Sequence, residues 1–297
     1  MASAVERAAR VPVTTVWRVP PEHDPAAAPS LRDLDAAFRR AMVETQVLLG
    51  EPVQVVEERR GWSRVHTPWQ PSRKAAAGYP GWVASCDLAA PHPAGSHCAV
   101  VTSRRSELSG VRTDRRAPFA PWAAVLPVLG IRADVVRVGL PGGDSASIGA
   151  ATCVVRAAPH PRSSPLRAAE LVRTASTMLG VPHVLGGMTE AGLDCSGLVH
   201  LACRVLGRTV PRDAEDIAEA GRRIPAAEAA EGDLLFFRRP GAAIHHVGIA
   251  VDRPGEMLNT PGGGVTVVEA LDHGRLRTLA ATATRVASQP LGDLAAG

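Results

Sequence analysis

The chain has 297 residues, 45% of them hydrophobic, and a formal net charge of +4. This length suggests two or three domains with ample cores, and a small charge spread along the chain without a basic block argues against nucleic acid as a partner. Five cysteines, at 86, 98, 153, 195 and 203, are odd in number and lack CxxC spacing, so structural zinc is not expected and reduced thiols in a cytoplasmic protein fit best.

Met1-Ala2-Ser3-Ala4-Val5-Glu6-Arg7 begins no apolar run before Pro12, so neither a secretory signal nor a membrane span is expected. Pro12 to Trp17 reads as a strand and Pro20 to Pro29 as a loop. Leu31 to Thr45 carries Leu34, Ala37, Phe38, Ala41 and Met42 at helical spacing. Val53 to Glu58, Gly61 to Val65 and Tyr79 to Val83 follow as strands, the last two separated by a long loop from Thr67 to Gly78. A second β-rich stretch offers strands at Ala99–Thr102, Val125–Gly130, Asp134–Val138 and Ala151–Val155. Ala157 to Pro165, with three prolines, reads as a linker. From Leu166 the pattern turns helical through Leu179 and stops at Gly180-Val181-Pro182.

The chemistry gathers in what comes next. Leu198, Val199, Leu201, Ala202, Val205 and Leu206 predict a helix from about Ser196 to Leu206, with Asp194 at its N-cap and Cys195 at its mouth. A thiol at the positive end of a helix dipole is eased toward the thiolate, whereas the neighbouring Asp194 opposes this. Gly232 to Phe237 predicts a buried strand and His245 to Val251 the next one. Adjacent strand residues face opposite ways, so only one of His245 and His246 can serve Cys195. Met257 to Thr260 begins a return strand on which Asn259 can orient an imidazole. Cysteine, histidine and a polar third residue in chain order follow the logic of papain-like thiol catalysis. Cys203, eight residues after Cys195 among apolar neighbours, reads as core.

Four segments together, Leu193-Asp194-Cys195-Ser196-Gly197-Leu198-Val199, Val210-Pro211-Arg212-Asp213, Glu231 to Phe237 and His246-Val247-Gly248-Ile249, resemble the NlpC-type cell-wall cysteine peptidases. The resemblance implies an α+β papain-like domain with Cys195 as nucleophile, His246 as base and Asn259 as orienter; Leu258 is the rival by spacing and His273 the alternative if Asn259 fails. Asp194, Ser196 and Asp213 would contact substrate. His183 and Leu185 occupy places where that family usually has Tyr and Trp, and His183 becomes a candidate donor near the oxyanion. Ala214 stands where relatives can have Ser. No cofactor and no metal are expected.

The Gly-Trp strand at Gly61-Trp62 and the Gly-Tyr-Pro-Gly-Trp turn at Gly78 to Trp82 resemble bacterial SH3-like barrels. The expected architecture is therefore a first barrel with a helical insert over 1–91, a second barrel over 92–160 and the peptidase domain over 161–297. Two barrels before such a core resemble the γ-D-glutamyl-L-diamino acid endopeptidases of muropeptide recycling. By that resemblance the first barrel reads the free L-Ala amine of a stem peptide, through Tyr79 and an acid at Glu44, with Glu51 as rival. The implied protein is a cytoplasmic monomer acting on peptidoglycan-derived peptides. The other readings are a general cell-wall endopeptidase, a wall-peptide-binding protein with weak catalysis, or an acyltransferase on the same core.

Overall fold

A computed structural model describes residues 4–22, 24–27, 29–111, 117–158, 166–271 and 280–285. It falls into two compact units. The first comprises Met1–Trp69, Ala77–His160 and Leu185–Glu190; the second comprises Gln70–Ala76, Pro161–Val184 and Ala191–Gly297.

The first unit is built on two antiparallel sheets. One orders its strands Val43–Leu48, Val13–Trp17, Tyr79–Ala84, Trp62–Thr67, Pro52–Arg59, Val5–Ala9 and Leu88–Ala89. Its core is largely valine, with Val16, Val47, Val53, Val55, Val65 and Val83 buried together, β-branched side chains suited to a pleated surface. Trp62 and Trp82 are buried too, the packing role their barrel positions suggest. The second sheet orders Ser145–Gly149, Val135–Gly139, Val125–Arg132, His97–Val101 and Cys153–Ala157. Leu49, at the turn after Val43–Leu48, joins the core of this second sheet. Beside it, a Cβ at Gly50 would lie 2.7 Å from the Val125 carbonyl oxygen, and the residue has φ +81°, so only glycine fits the turn.

Several elements depart from the sequence reading. The helical insert is short, Ala36–Met42, capped by Asp35, whose carboxylate accepts from the Phe38 N–H. Val43 turns extended and begins a strand, so Glu44 stands in the Val43–Leu48 strand rather than at a helix end. Val43, Thr45 and Val47 are buried along one side of that strand, and a helix continuing through them would leave the sheet without that side. The strands Val5–Ala9 and Ser145–Gly149 were not expected. Their inward residues are Ala8, Ala9 and Ala146 besides Ile148, too small to mark a strand by hydrophobic alternation. The expected loop after Thr67 does not stay with the first unit: residues 70–76 belong to the second.

The second unit is α+β, the class expected. Its sheet orders Arg222–Ile224, Ala280–Arg285, Leu234–Arg238, Ile244–Ala250, Glu256–Asn259 and Val267–Ala270, all antiparallel. Ala280–Arg285 inserts between Arg222–Ile224 and Leu234–Arg238, a pairing its alanine-rich sequence gave no reason to expect. The Ala168–Ser176 helix and the Cys195–Val205 helix pack together, and the latter lies against Ile244–Ala250. Every residue of Cys195–Val205 is buried; such a helix is hydrophobic enough to be core on all sides. Residues 70–76 dock on this unit through Arg73, which meets Glu215 and, at 3.0 Å, Asp216 on the Ala214–Glu219 helix.

Candidate active site

The Cys195–Val205 helix starts where the sequence placed it, and its cap explains why. Asp194 has extended backbone angles (φ −96°, ψ 172°) and its Oδ1 accepts the Gly197 N–H at 2.7 Å. This satisfies one of the orphan donors of the first turn. Cys195, the first helical residue, is buried at 8% exposure.

The strand facing it carries the expected base. His245 is exposed and His246 is buried, so the pleat turns His246 inward. The backbone N–H of the next residue, Val247, favours the thiolate of Cys195. His246 Nε2 lies 2.9 Å from Asn259 Oδ1. A carbonyl oxygen only accepts, so Nε2 carries the proton and Nδ1 of the neutral ring is left with a lone pair to take one. Register makes the pair possible: Gly248 is paired with Asn259, and His246, two residues away, shares its face. A Cβ at Gly248 would sit 3.1 Å from the Asn259 Cβ and 2.4 Å from Met257 Sδ, so a glycine there keeps the diagonal open. Leu258 is fully buried on the opposite face and offers no hydrogen bond. His273 lies outside the described residues, as does most of the expected linker.

Asp194 does more than cap. Arg212, 1% exposed, donates from Nη2 to Asp194 Oδ2 at 2.8 Å and from Nη1 to Asp194 Oδ1 at 3.0 Å. Its Nη1 also reaches Ser196 Oγ at 2.9 Å. Both of the expected substrate-contacting groups beside Cys195 are thus held by one buried guanidinium. Arg212 was not singled out in the sequence, although it stands inside the Val210-Pro211-Arg212-Asp213 segment; an arginine directly after Val210-Pro211 was the available signal. Asp213 N-caps the Ala214–Glu219 helix by its backbone, with no side-chain cap bond. His183 runs beside the segment leading to Cys195: its backbone bridges to Leu193 and its N–H donates to the Gly264 carbonyl at 2.8 Å.

The electrostatics of Cys195 correct one expectation. The thiol pKa is pushed up to about 11, first by burial and then by the charge of Asp194. The Val247 N–H, the Arg212 charge and the Ser196 N–H pull it back only in part. The helix start alone therefore does not hold a thiolate. Cys203 is buried more deeply still, its thiol raised to about 12 by burial, which suits a core residue.

In the first unit, Glu44 and Tyr79 come together. Tyr79, 2% exposed, donates from Oη to Glu44 Oε2 at 3.1 Å. Arg18 donates from Nε to Glu44 Oε1 at 2.8 Å. Glu51 has a different occupation: it is buried in a turn, where its Oε2 accepts the Leu48 N–H. The Leu185–Glu190 segment belongs to this unit as well. Its Met188 N–H donates to Gln46 Oε1 at 2.9 Å, and Leu185, in the place of the usual Trp, is exposed.

The chain is similar to known proteins. A profile of the NlpC/P60 family matches residues 180–283, and one of the bacterial dipeptidyl-peptidase SH3 domain matches residues 35–88. A γ-D-glutamyl-L-lysine dipeptidyl-peptidase of Bacillus subtilis (strain 168) is 33% identical over 229 residues, covering 76% of this chain and 75% of that protein. A protein of the same name from Bacillus cereus (strain ATCC 10987) is 27% identical over 226 residues, covering 74% and 67%. The crystal structure of an NlpC/P60 family protein from Bacillus cereus ATCC 10987 superposes with a TM-score of 0.84 at 23% identity, over 95% of this chain and all of that one, a likeness of fold.

Proposed function

The chain belongs to the NlpC/P60 family of cysteine peptidases, and from that premise we propose that it hydrolyses the γ-D-glutamyl bond to an L-diamino acid in peptidoglycan stem peptides, releasing an N-terminal dipeptide. The observation that carries this reading is the hydrogen-bonded His246–Asn259 pair, with the helix that starts at Cys195 lying against the His246 strand.

In the proposed reaction His246 Nδ1 takes the proton of the Cys195 thiol as the sulfur attacks the γ-glutamyl carbonyl carbon. Asn259 fixes the ring in the Nε2–H tautomer while it does so. Burial and Asp194 push the Cys195 thiol up to about 11, so its ionisation rests on His246 taking the proton. The oxyanion takes the Cys195 backbone N–H, with His183 as the second donor. The imidazolium then protonates the leaving amine of the diamino acid, and water, activated by the neutral ring, hydrolyses the thioester to free the dipeptide and the thiol.

Selection for a free N-terminal amine is assigned to Glu44 and Tyr79. Glu44 is a carboxylate already held by a phenol and a guanidinium; an ammonium leaving water is costly to bury unless it meets such a charge. The test is product analysis by mass spectrometry. L-Ala-γ-D-Glu-L-Lys should yield the dipeptide L-Ala-γ-D-Glu and lysine, its N-acetylated form should react far more slowly, and Cys195→Ala should do neither. Equal rates on both peptides would make the protein a general wall endopeptidase. No turnover would make it a binding protein, and an amine adduct an acyltransferase.

A further inference from the structure

The proposed chemistry leaves a buried histidine unused. His200 lies in the Cys195–Val205 helix, five residues beyond the nucleophile and 1% exposed. Its Nδ1 is 2.9 Å from the Val210 carbonyl oxygen and 3.3 Å from that of Pro211. Its Nε2 is 2.9 Å from Arg204 Nη2. Carbonyl oxygens only accept and a guanidinium only donates. The three contacts together fix a single form of the ring: neutral, with the proton on Nδ1 and the lone pair of Nε2 turned to Arg204.

The residues that His200 holds lead directly to Arg212. Val210 and Pro211 precede it, and Arg212 reaches back to the same helix at Asp194 and Ser196. The helix thus clasps one short segment at two points, once through His200 and once at its own N-terminus on either side of Cys195. We propose that His200 is a positioning residue for the reaction: by holding the Val210–Pro211 carbonyls it sets the Arg212 guanidinium on Asp194 and Ser196, and so sets the reactivity of Cys195. The claim rests on Cys195 being the nucleophile. Its physical content is electrostatic. Asp194 raises the Cys195 pKa and Arg212 lowers it, so a guanidinium displaced from Asp194 leaves the thiol facing an uncompensated carboxylate.

The test uses the full chain. His200→Leu keeps volume and apolar packing but makes no hydrogen bond; His200→Asn puts an amide N–H near the place of Nδ1–H. His200→Leu should lower kcat about tenfold, the worth of a buried hydrogen bond, with little change in KM. It should also move the pH profile of Cys195 alkylation by iodoacetamide to higher pH. His200→Asn should restore much of both. A double-mutant cycle with Arg212→Lys separates position from mere packing: if His200 acts through Arg212, its loss costs little more once Arg212 is gone. Three results overturn the proposal: wild-type kinetics and alkylation in His200→Leu, an unmoved alkylation profile alongside lowered Tm in both His200 variants, or costs that multiply in the cycle. The ring form gives a check that needs no variant to fold, because 15N shifts of the wild-type protein must report a neutral His200 protonated at Nδ1. A protonated ring or the other tautomer overturns the clasp. If Cys195→Ala keeps turnover, the peptidase mechanism fails, and the ring-form result still stands apart from it.

Discussion

Replacing Asn259 by Ala removes the acceptor 2.9 Å from His246 Nε2. Both residues are buried, Asn259 completely, so no bulk water replaces the lost partner. In the resting enzyme the bond joins a neutral ring to an amide, worth about 0.5–1.5 kcal/mol; once the ring has taken the thiol proton the same bond is charge-assisted, worth about 1.5–3 kcal/mol. The difference, roughly 1–1.5 kcal/mol, falls on the transition state and predicts about a tenfold loss of kcat. A ring free to turn to the other tautomer loses its proton-accepting Nδ1 as well, which extends the expected loss to about a hundredfold. KM should hardly move. Steady-state kinetics on L-Ala-γ-D-Glu-L-Lys, with thermal melting as the control for folding, measures this directly. Asn259→Asp separates orientation from charge: it keeps an acceptor for Nε2–H while adding a negative charge that favours the imidazolium. It should recover part of kcat and shift the acid limb of the rate profile to higher pH. Wild-type kcat in Asn259→Ala, or a change confined to KM, would refute the assignment of Asn259.

Gly248→Ala places a Cβ 3.1 Å from the Asn259 Cβ and 2.4 Å from Met257 Sδ, so kcat should fall even though no reacting group changes, and Met257→Ala in the same chain should return part of it. Arg212→Met strands the buried Asp194 carboxylate; breaking a buried ion pair costs about 3–5 kcal/mol, and denaturant titration should show a loss of that order. Alkaline stability should follow the cysteines. Raised thiol pKa values, about 11 for Cys195 and about 12 for Cys203, mean that the folded state keeps protons the unfolded chain releases above its ordinary cysteine pKa. The stabilisation is therefore complete below pH 9 and lost as pH rises through 11 to 12, and the fall in Tm over that range should be shallower in Cys203→Ala. His200 has the opposite sign: burial, Arg204 and Arg212 lower its pKa, against the pull of the Val210 and Pro211 carbonyls. Its contribution is present above pH 6.5 and lost as pH falls, so His200→Asn should flatten the acid side of the Tm profile.

The chemistry was more legible in the sequence than the fold. Helical spacing after Asp194 set Cys195 at a helix start, strand alternation left one of His245 and His246 to face it with the family resemblance choosing His246, and a polar residue stood on the return strand; the fold pairs His246 with Asn259 and lays the Cys195–Val205 helix against the His246 strand. They were readable because each sits where a local rule applies: a cap, a pleat, a turn. Elements built on alanine were not readable. Val5–Ala9 and Ala280–Arg285 gain their place from ladder partners distant in sequence, Val5 opposite Val55 and Ala283 opposite both Ile224 and Leu235, while Ser145–Gly149 closes a hairpin with Val135–Gly139. Small side chains carry little hydrophobic signal, and hydrogen bonds to remote strands leave none in the local pattern. The helical insert erred the other way, because the helical reading from Leu31 ran on to Thr45, where β-branching at Val43 and Thr45 and pairing with Val13–Trp17 had taken over.

The state of the thiol shows why site electrostatics need the fold. From the sequence, a helix start argues for an activated Cys195 and Asp194 argues against it, with no means of weighing them. Burial, the largest influence on the thiol, is invisible until the helix is seen enclosed on all sides, and it favours the protonated form. The compensating charge is equally remote: Arg212 is 17 residues from Cys195 by number, and it meets Asp194 because a proline-bearing segment returns to the helix under the hold of His200. A thiol raised in this way should react slowly with alkylators, since reactivity follows the thiolate. In the proposed mechanism its proton goes to His246, whose ring Asn259 orients, so the reactivity of Cys195 follows from that pair rather than from the field of the helix alone.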